Sequence, residues 1–154
     1  PGRGAPATAA RNPLPRLDRA LRLRLADRDV RAGALLAPGK PTAFVFVGTA
    51  CPIANAAAPE LASLHAAVAP RGGKVVLVYS NPGDQDEAAA HAAHWNLGAL
   101  PRVLDTDQSL AAALGAKLTP EAFVVDGDGV VRYRGRIDDA SAARAKPRGT
   151  GASR

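Results

Sequence analysis

Apolar positions along this chain fall into short runs separated by turn residues. Thr42 to Gly48 (TAFVFVG) and Lys74 to Ser80 (KVVLVYS) are apolar, rich in β-branched and aromatic residues, and the length of buried strands. Between them Ile53, Ala57, Leu61, Leu64 and Val68 recur at spacings of three and four, which predicts a helix with one apolar face. Two buried strands joined by a long helix read as a parallel βαβ unit. Pro59 lies inside that helix; its ring removes the bond to the Asn55 carbonyl and predicts a kink.

The flanking segments are weaker but ordered. Leu21, Leu23 and Leu25 alternate with Arg22 and Arg24, the period of a half-buried strand, and Asp27-Arg28-Asp29 turns the chain into a short return at Val30-Arg31. Ala34-Leu35-Leu36 makes one helical turn before Pro38-Gly39 breaks it. After the loop Asn81-Pro82-Gly83, Asp84 and Glu87 have capping-box spacing for a helix reaching about Asn96, with Leu97-Gly98 ending it. Val103-Leu104-Asp105 reads as an edge strand, and Asp105 or Asp107 caps a helix from Gln108 to Leu114 that Gly115 stops. Ala122 to Val125, the turn Asp126-Gly127-Asp128-Gly129 and Val130 to Arg136 make a β-hairpin. The DGDG run is no EF-hand loop, since Val130 and Val131 stand where later ligands belong.

These elements predict an α/β domain over residues 16–139, a central mixed sheet flanked by helices with an extra N-terminal β-hairpin. Residues 1–15 read as a flexible lead-in and 140–154 as a flexible tail. A terminal hairpin normally has a helix packed over it. No apolar stripe follows Asp139, so the C-terminal helix is missing and the chain stops short of its natural end or leaves a sheet face uncovered. The chain starts at Pro1 and contains no Met, as a mature form or fragment would.

Composition narrows the function. With 154 residues, 47% hydrophobic and 22% charged, the chain reads as one globular domain. No apolar run approaches the ~20 residues of a membrane span, and the compartment stays open between cytoplasm and periplasm. The net charge of +6 is uneven: residues 1–40 carry nine basic and three acidic groups, 130–154 seven and two, and the middle four and nine. The basic tails lack interleaved aromatics or a binding module, so no nucleic-acid partner is expected. One cysteine excludes a disulfide framework and a Cys-rich zinc site. It leaves a buried bystander or a reactive monothiol.

That cysteine, Cys51, follows the strand end Gly48-Thr49 and precedes Pro52, a residue favoured at the first position of a helix. At such a helix mouth the free N–H groups and the macrodipole favour the thiolate, the nucleophilic form. Thr49 places a hydroxyl two residues ahead of that sulfur. Asn55 reads as a residue of the first exposed turn rather than a substrate contact, and His65 as a packing residue at the helix boundary. His91 and His94 share a helix face beside Trp95, but nothing on that helix completes a ligand set, so they read as surface histidines and no metal is expected.

Strand, cysteine at a helix mouth, kinking Pro59 eight residues on, and Thr119-Pro120 before Phe123-Val124-Val125-Asp126 follow in an order that resembles the thioredoxin superfamily. The likeness is to its redoxin group, with the alkyl-hydroperoxide-reductase-like and TlpA-like proteins, and covers about residues 20–139. It implies a thioredoxin-like fold in which Pro120 is cis and faces Cys51, with the Thr119 backbone free to pair with substrate. Cys51 and Thr49 are then the candidate catalytic residues, and Pro52, Thr119 and Pro120 the substrate-binding ones.

The chain also departs from the pattern. Cys51-Pro52-Ile53-Ala54 has Ala54 in place of a resolving thiol, Val45 stands where thioredoxins bury their acid, and Gly48 occupies the peroxiredoxin Thr position. Pro120 takes the place where peroxiredoxins commonly carry an Arg, which leaves Arg134 or Arg136 to approach from the last strand. The reading is a monothiol redox protein that reduces a disulfide or peroxide without a cofactor and depends on an external thiol or thioredoxin-like reductant. Its rival is a degenerate binding module without turnover.

Overall fold

The computed structural model describes residues 15–117 and 119–135. Among the described residues are seven strands: β1 (Arg22–Arg24), β2 (Asp29–Arg31), β3 (Thr42–Val47), β4 (Lys74–Tyr79), β5 (Arg102–Leu104), β6 (Glu121–Val125) and β7 (Val131–Gly135). The helices are α1 (Pro52–Ala56), α2 (Ala58–Val68), α3 (Ala88–His94) and α4 (Ser109–Leu114). Five strands form one mixed sheet in the order β5-β4-β3-β6-β7. β3, β4 and β5 run parallel, β6 runs antiparallel to β3, and β7 antiparallel to β6. The register sets Phe44 beside Val76 on one side and Phe123 on the other.

Side chains alternate between the faces of a strand, so the apolar run of β3 feeds two cores. Phe44 and Phe46 join Val76, Val78, Phe123, Leu110 and Leu114 on one face. Val45 and Val47 join Val75, Leu77, Tyr79, Leu61 and Ala92 on the other. β1 and β2 form a separate antiparallel ribbon, tied to the sheet edge by a bridge between Leu25 and Val103. Leu23 and Leu25 are buried while Arg22 and Arg24 are exposed, as the alternation predicts.

Two helix expectations are corrected. The single kinked helix is two helices that meet at Ala57 (φ −85°, ψ −3°), with Pro59 in the first turn of the second. Proline needs no N–H there, so the chain restarts instead of bending through it. Its inward stripe is Ala54, Ala58 and Leu61, and Ile53 is 60% exposed. The helix after Asn81 is likewise shorter: Asp84–Glu87 is one turn of 3-10 helix before α3, with no side-chain cap.

The other caps follow the sequence. Asp105, buried, accepts the amides of Leu110 and Ala111 at 2.9 and 3.0 Å, and Asp107 accepts that of Ser109 at 3.0 Å. Gly115 ends α4 at φ +74°. In the hairpin turn Asp126 Oδ1 accepts the amides of Asp128 and Val130. The segments expected as a flexible tail and, nearly all of it, as a lead-in, the expectation of no C-terminal helix, and Arg136 all fall outside the described residues.

Candidate active site

The site lies where β3 and β4 end and β6 begins. β3 stops at Val47, and the chain turns so that the Cys51 amide donates to the Gly48 carbonyl at 3.1 Å. The Cys51 carbonyl accepts the Asn55 amide at 2.9 Å, so the half-buried Cys51 is the N-cap of α1 with Pro52 next. Across the sheet the Thr119–Pro120 peptide is cis. The Cys51 thiol points at the Thr119 carbonyl oxygen, 3.6 Å from Sγ. Two residues 68 apart in sequence thus place a sulfur against the backbone that opens β6.

Beside this contact is a cleft of about 220 Å³ lined by Phe46, Ser80, Asn81, Gln108, Lys117 and Thr119. It sits at the carboxyl ends of the parallel strands, the usual place for a ligand in such sheets. Gln108 Nε2 donates to the Ser80 carbonyl at 2.9 Å, and the Ser80 hydroxyl donates to Asp105, so these cleft walls are braced. Pro52 is exposed and Pro120 is buried.

Thr49 is turned from the role expected of it. Its hydroxyl donates to Asp84 Oδ1 at 2.9 Å, with Glu87 Oε1 at 3.2 Å, and its amide donates to Asp84 Oδ2 at 3.0 Å. A hydroxyl has one proton, and here the acceptors are carboxylates rather than the sulfur.

Two further residues depart from their sequence reading. Asn55 is half-buried, and its Nδ2 donates to the Thr49 carbonyl at 3.2 Å. His91 is no surface histidine: it is 8% exposed, with Nε2 2.6 Å from Asn55 Oδ1 and Nδ1 2.8 Å from the Tyr79 hydroxyl. Burial lowers the His91 pKa against the upward pull of Asp84. Burial pushes the Tyr79 hydroxyl up to about 12, with Arg102 opposing. Asp84, His91 and Tyr79 belong to the site's surroundings, and no local pattern announces them because their partners lie far along the chain.

The remaining candidates are spread out. His65 Nδ1 accepts the Val75 amide at 3.1 Å, a boundary role, and His94 packs edge-on against Trp95. Among the described residues no group of three His, Cys, Asp or Glu could hold a metal. Arg134 does not reach toward the sulfur. Its Nε donates to Glu121 at 3.3 Å, its Nη2 to the Gly115 carbonyl at 2.7 Å, and its guanidinium lies over the Phe123 ring. Val45 is buried in the core, and no helix among the described residues is long and apolar enough to cross a membrane.

Among curated proteins no sequence matches this chain. Solved structures share its fold. A secreted Mycobacterium tuberculosis disulfide oxidoreductase homologous to E. coli DsbE superposes with a TM-score of 0.67 at 19% identity, covering 82% of this chain and 96% of that one. The thioredoxin domain of a thiol-disulfide oxidoreductase from Bacteroides vulgatus gives 0.67 at 17% identity, over 86% and 97%. The bacterioferritin comigratory protein of Xanthomonas campestris gives 0.67 at 18% identity, over 88% and 92%. The fold is therefore thioredoxin-like, with an added N-terminal ribbon. The AhpC/TSA family model matches residues 12–134, and the chain belongs to that family, within the redoxin group of the thioredoxin superfamily.

Proposed function

We propose that this chain is a monothiol redox protein in which Cys51 is the nucleophile. One observation carries the reading: a half-buried sulfur on the N-cap residue of a helix, 3.6 Å from the carbonyl that precedes Pro120, beside an open cleft. Attack of the Cys51 thiolate on a disulfide forms a mixed disulfide and expels the other half as a thiolate. Attack on a hydroperoxide forms a sulfenic acid and releases the alcohol or water. A first external thiol condenses with that acid and releases water. In either case a thiol from another molecule then attacks the mixed disulfide and frees Cys51. A thioredoxin-like reductant or a small thiol fills that role.

The requirement for an external thiol follows from the chain's content. Cys51 is its one cysteine, and Ala54, buried against the core, stands at the resolving position. Pro52, Thr119 and Pro120 would shape the substrate groove, the Thr119 backbone pairing with an extended disulfide substrate. Thr49 would serve by shaping the loop ahead of the sulfur, since its hydroxyl is engaged by Asp84. The Bacteroides vulgatus neighbour is a thiol-disulfide oxidoreductase and the Xanthomonas campestris one reduces alkyl peroxides, which supports both oxidant classes.

Ala54 and the buried Val45 also favour a second reading, a binding module that uses the same groove without turnover. Intact-mass analysis after a short, low-dose pulse of glutathione disulfide or hydrogen peroxide separates the two. A single adduct forming on the wild type much faster than on N-acetylcysteine, and absent from Cys51→Ser, supports the redox reading. A wild-type rate no greater than that of the free thiol leaves only the binding module.

A further inference from the structure

A chain of hydrogen bonds leads from the core to the loop carrying the sulfur, and its polarity is determined at one end. The Thr49 carbonyl can only accept, so the Asn55 group facing it at 3.2 Å is Nδ2. Asn55 therefore presents Oδ1 to His91, 2.6 Å from Nε2, and that nitrogen carries the hydrogen. Nδ1 then holds a lone pair and receives the Tyr79 hydroxyl at 2.8 Å. Each donor in the chain has one acceptor, and the sequence of bonds works in one direction with His91 neutral.

The participants come from separate elements. Tyr79 ends β4 and is fully buried, His91 is in α3, Asn55 is in α1, and Thr49 lies two residues ahead of Cys51. The Tyr79 and His91 rings also meet edge-on, 5.5 Å between centroids. Thr49 is thus held on three groups, its amide and hydroxyl by Asp84 and its carbonyl by Asn55. Thr49 lies inside the turn that brings the Cys51 amide onto the Gly48 carbonyl at 3.1 Å, so what holds Thr49 also holds that turn.

We propose that Asn55 and His91 are positioning residues for Cys51: through the Thr49 carbonyl they hold the sulfur against Thr119, and they do so only while His91 is neutral. The inference rests on reading Cys51 as the nucleophile. An imidazolium would turn Nδ1 into a donor facing the Tyr79 hydroxyl, which would have to surrender its own donor bond inside the core. A buried donor left unmet is destabilising, and the members of such a network depend on one another. The groups facing His91 are Tyr79 from β4, Asn55 from α1, Asp84 from the turn before α3, and His94 on α3 itself. Asp84 favours the charged ring and His94 opposes it; burial outweighs the former, and the ring stays neutral near pH 7.

The test compares wild type with N55D and H91Q. N55D keeps an acceptor for His91 but places an oxygen against the Thr49 carbonyl. H91Q keeps a neutral donor for Asn55 and cannot titrate. Two readouts are taken: the rate of Cys51 reaction with glutathione disulfide from pH 5 to 8, and hydrogen exchange of the Cys51 amide. We expect N55D to react about tenfold more slowly or worse, with a less protected Cys51 amide. H91Q, which keeps the donor to Asn55 but loses the acceptor of the Tyr79 hydroxyl, is slowed less than N55D at pH 7, and the wild-type to H91Q ratio falls toward pH 5.

Rates within about twofold for all three proteins, with a flat ratio, would overturn the proposal. So would a slow N55D whose Cys51 amide stays fully protected. Failure of the redox reading looks different: the wild type itself would be as slow as a free thiol, while amide exchange still reports whether Asn55 and His91 hold the loop.

Discussion

Asp84 grips Thr49 by two atoms, its Oδ2 accepting the backbone amide at 3.0 Å and its Oδ1 the hydroxyl at 2.9 Å. The pair is 35 residues apart and ties the loop after β3 to the loop after β4. Asp84→Ala leaves a part-buried amide and hydroxyl without that acceptor. A loss of about 1–3 kcal/mol in urea unfolding is expected. Asp84→Asn keeps one acceptor oxygen and should fall between. Equal stability of all three proteins would mean that water serves Thr49 as well as the carboxylate does.

Phe46 and Phe123 face each other from neighbouring strands, ring centroids 5.6 Å apart at 80°. Edge-to-face pairs contribute about 0.5–1.5 kcal/mol beyond the area they bury. A double-mutant cycle with Phe46→Leu and Phe123→Leu, followed by chemical denaturation, should return a coupling energy in that range. Additive single effects would show that the contact is geometric only. Each single replacement should also cost stability, because both rings are fully buried.

Acid should weaken the fold through its histidines. Burial lowers the pKa of His91, and burial with Lys74 nearby lowers that of His65. Between the folded value and the ordinary 6.5, the unfolded chain binds protons that the folded chain refuses. Their contribution is complete above pH 6.5 and is lost as pH falls through the folded values. The thermal midpoint should therefore drop between pH 7 and pH 5, and less steeply in H65Q and H91Q. Asp107 acts only at lower pH, since the Ser109 amide and hydroxyl hold its carboxyl below 3.8.

Two glycines should respond differently to an added methyl. Gly129 has φ +90°, and a Cβ there would strike the Leu17 carbonyl oxygen, which is backbone and cannot move aside. Gly129→Ala should cost about 1–3 kcal/mol or more in urea unfolding. At Gly48 a Cβ would sit 2.8 Å from Asn81 Nδ2, the end of a side chain free to turn, and 3.4 Å from the Cys51 Cβ. Gly48→Ala should cost under about 1 kcal/mol. Reversed costs would mean that the loop before Cys51 is the more rigid of the two.

The elements that were legible share a property: each was read from neighbours within a few residues. Alternation of Leu23 and Leu25 with arginines, the runs of β3 and β4, the Asp105 cap and the Asp126 turn all follow from local periodicity or local hydrogen bonds. Ile53 shows where that method stops. Its spacing to Ala57 and Leu61 matched a helical stripe, but the break at Ala57 rotated the first helix and set Ala54 inward instead. Asp84 looked like a cap because its spacing to Glu87 fitted one, whereas its carboxylate was taken by a residue from another loop.

On its own, the order of residues determined the βαβ core, the terminal hairpin, a lone thiol opening a helix and the Thr119-Pro120 step, because these depend on short-range pattern and backbone chemistry. Only the tertiary structure decided that the thiol meets the Thr119 carbonyl, that His91 is buried between Tyr79 and Asn55, and that Thr49 belongs to Asp84. Those contacts span 12 to 68 residues. Such partners are chosen by how sheet and helices pack, which sets distance and direction in space, and no local period along the chain encodes that choice.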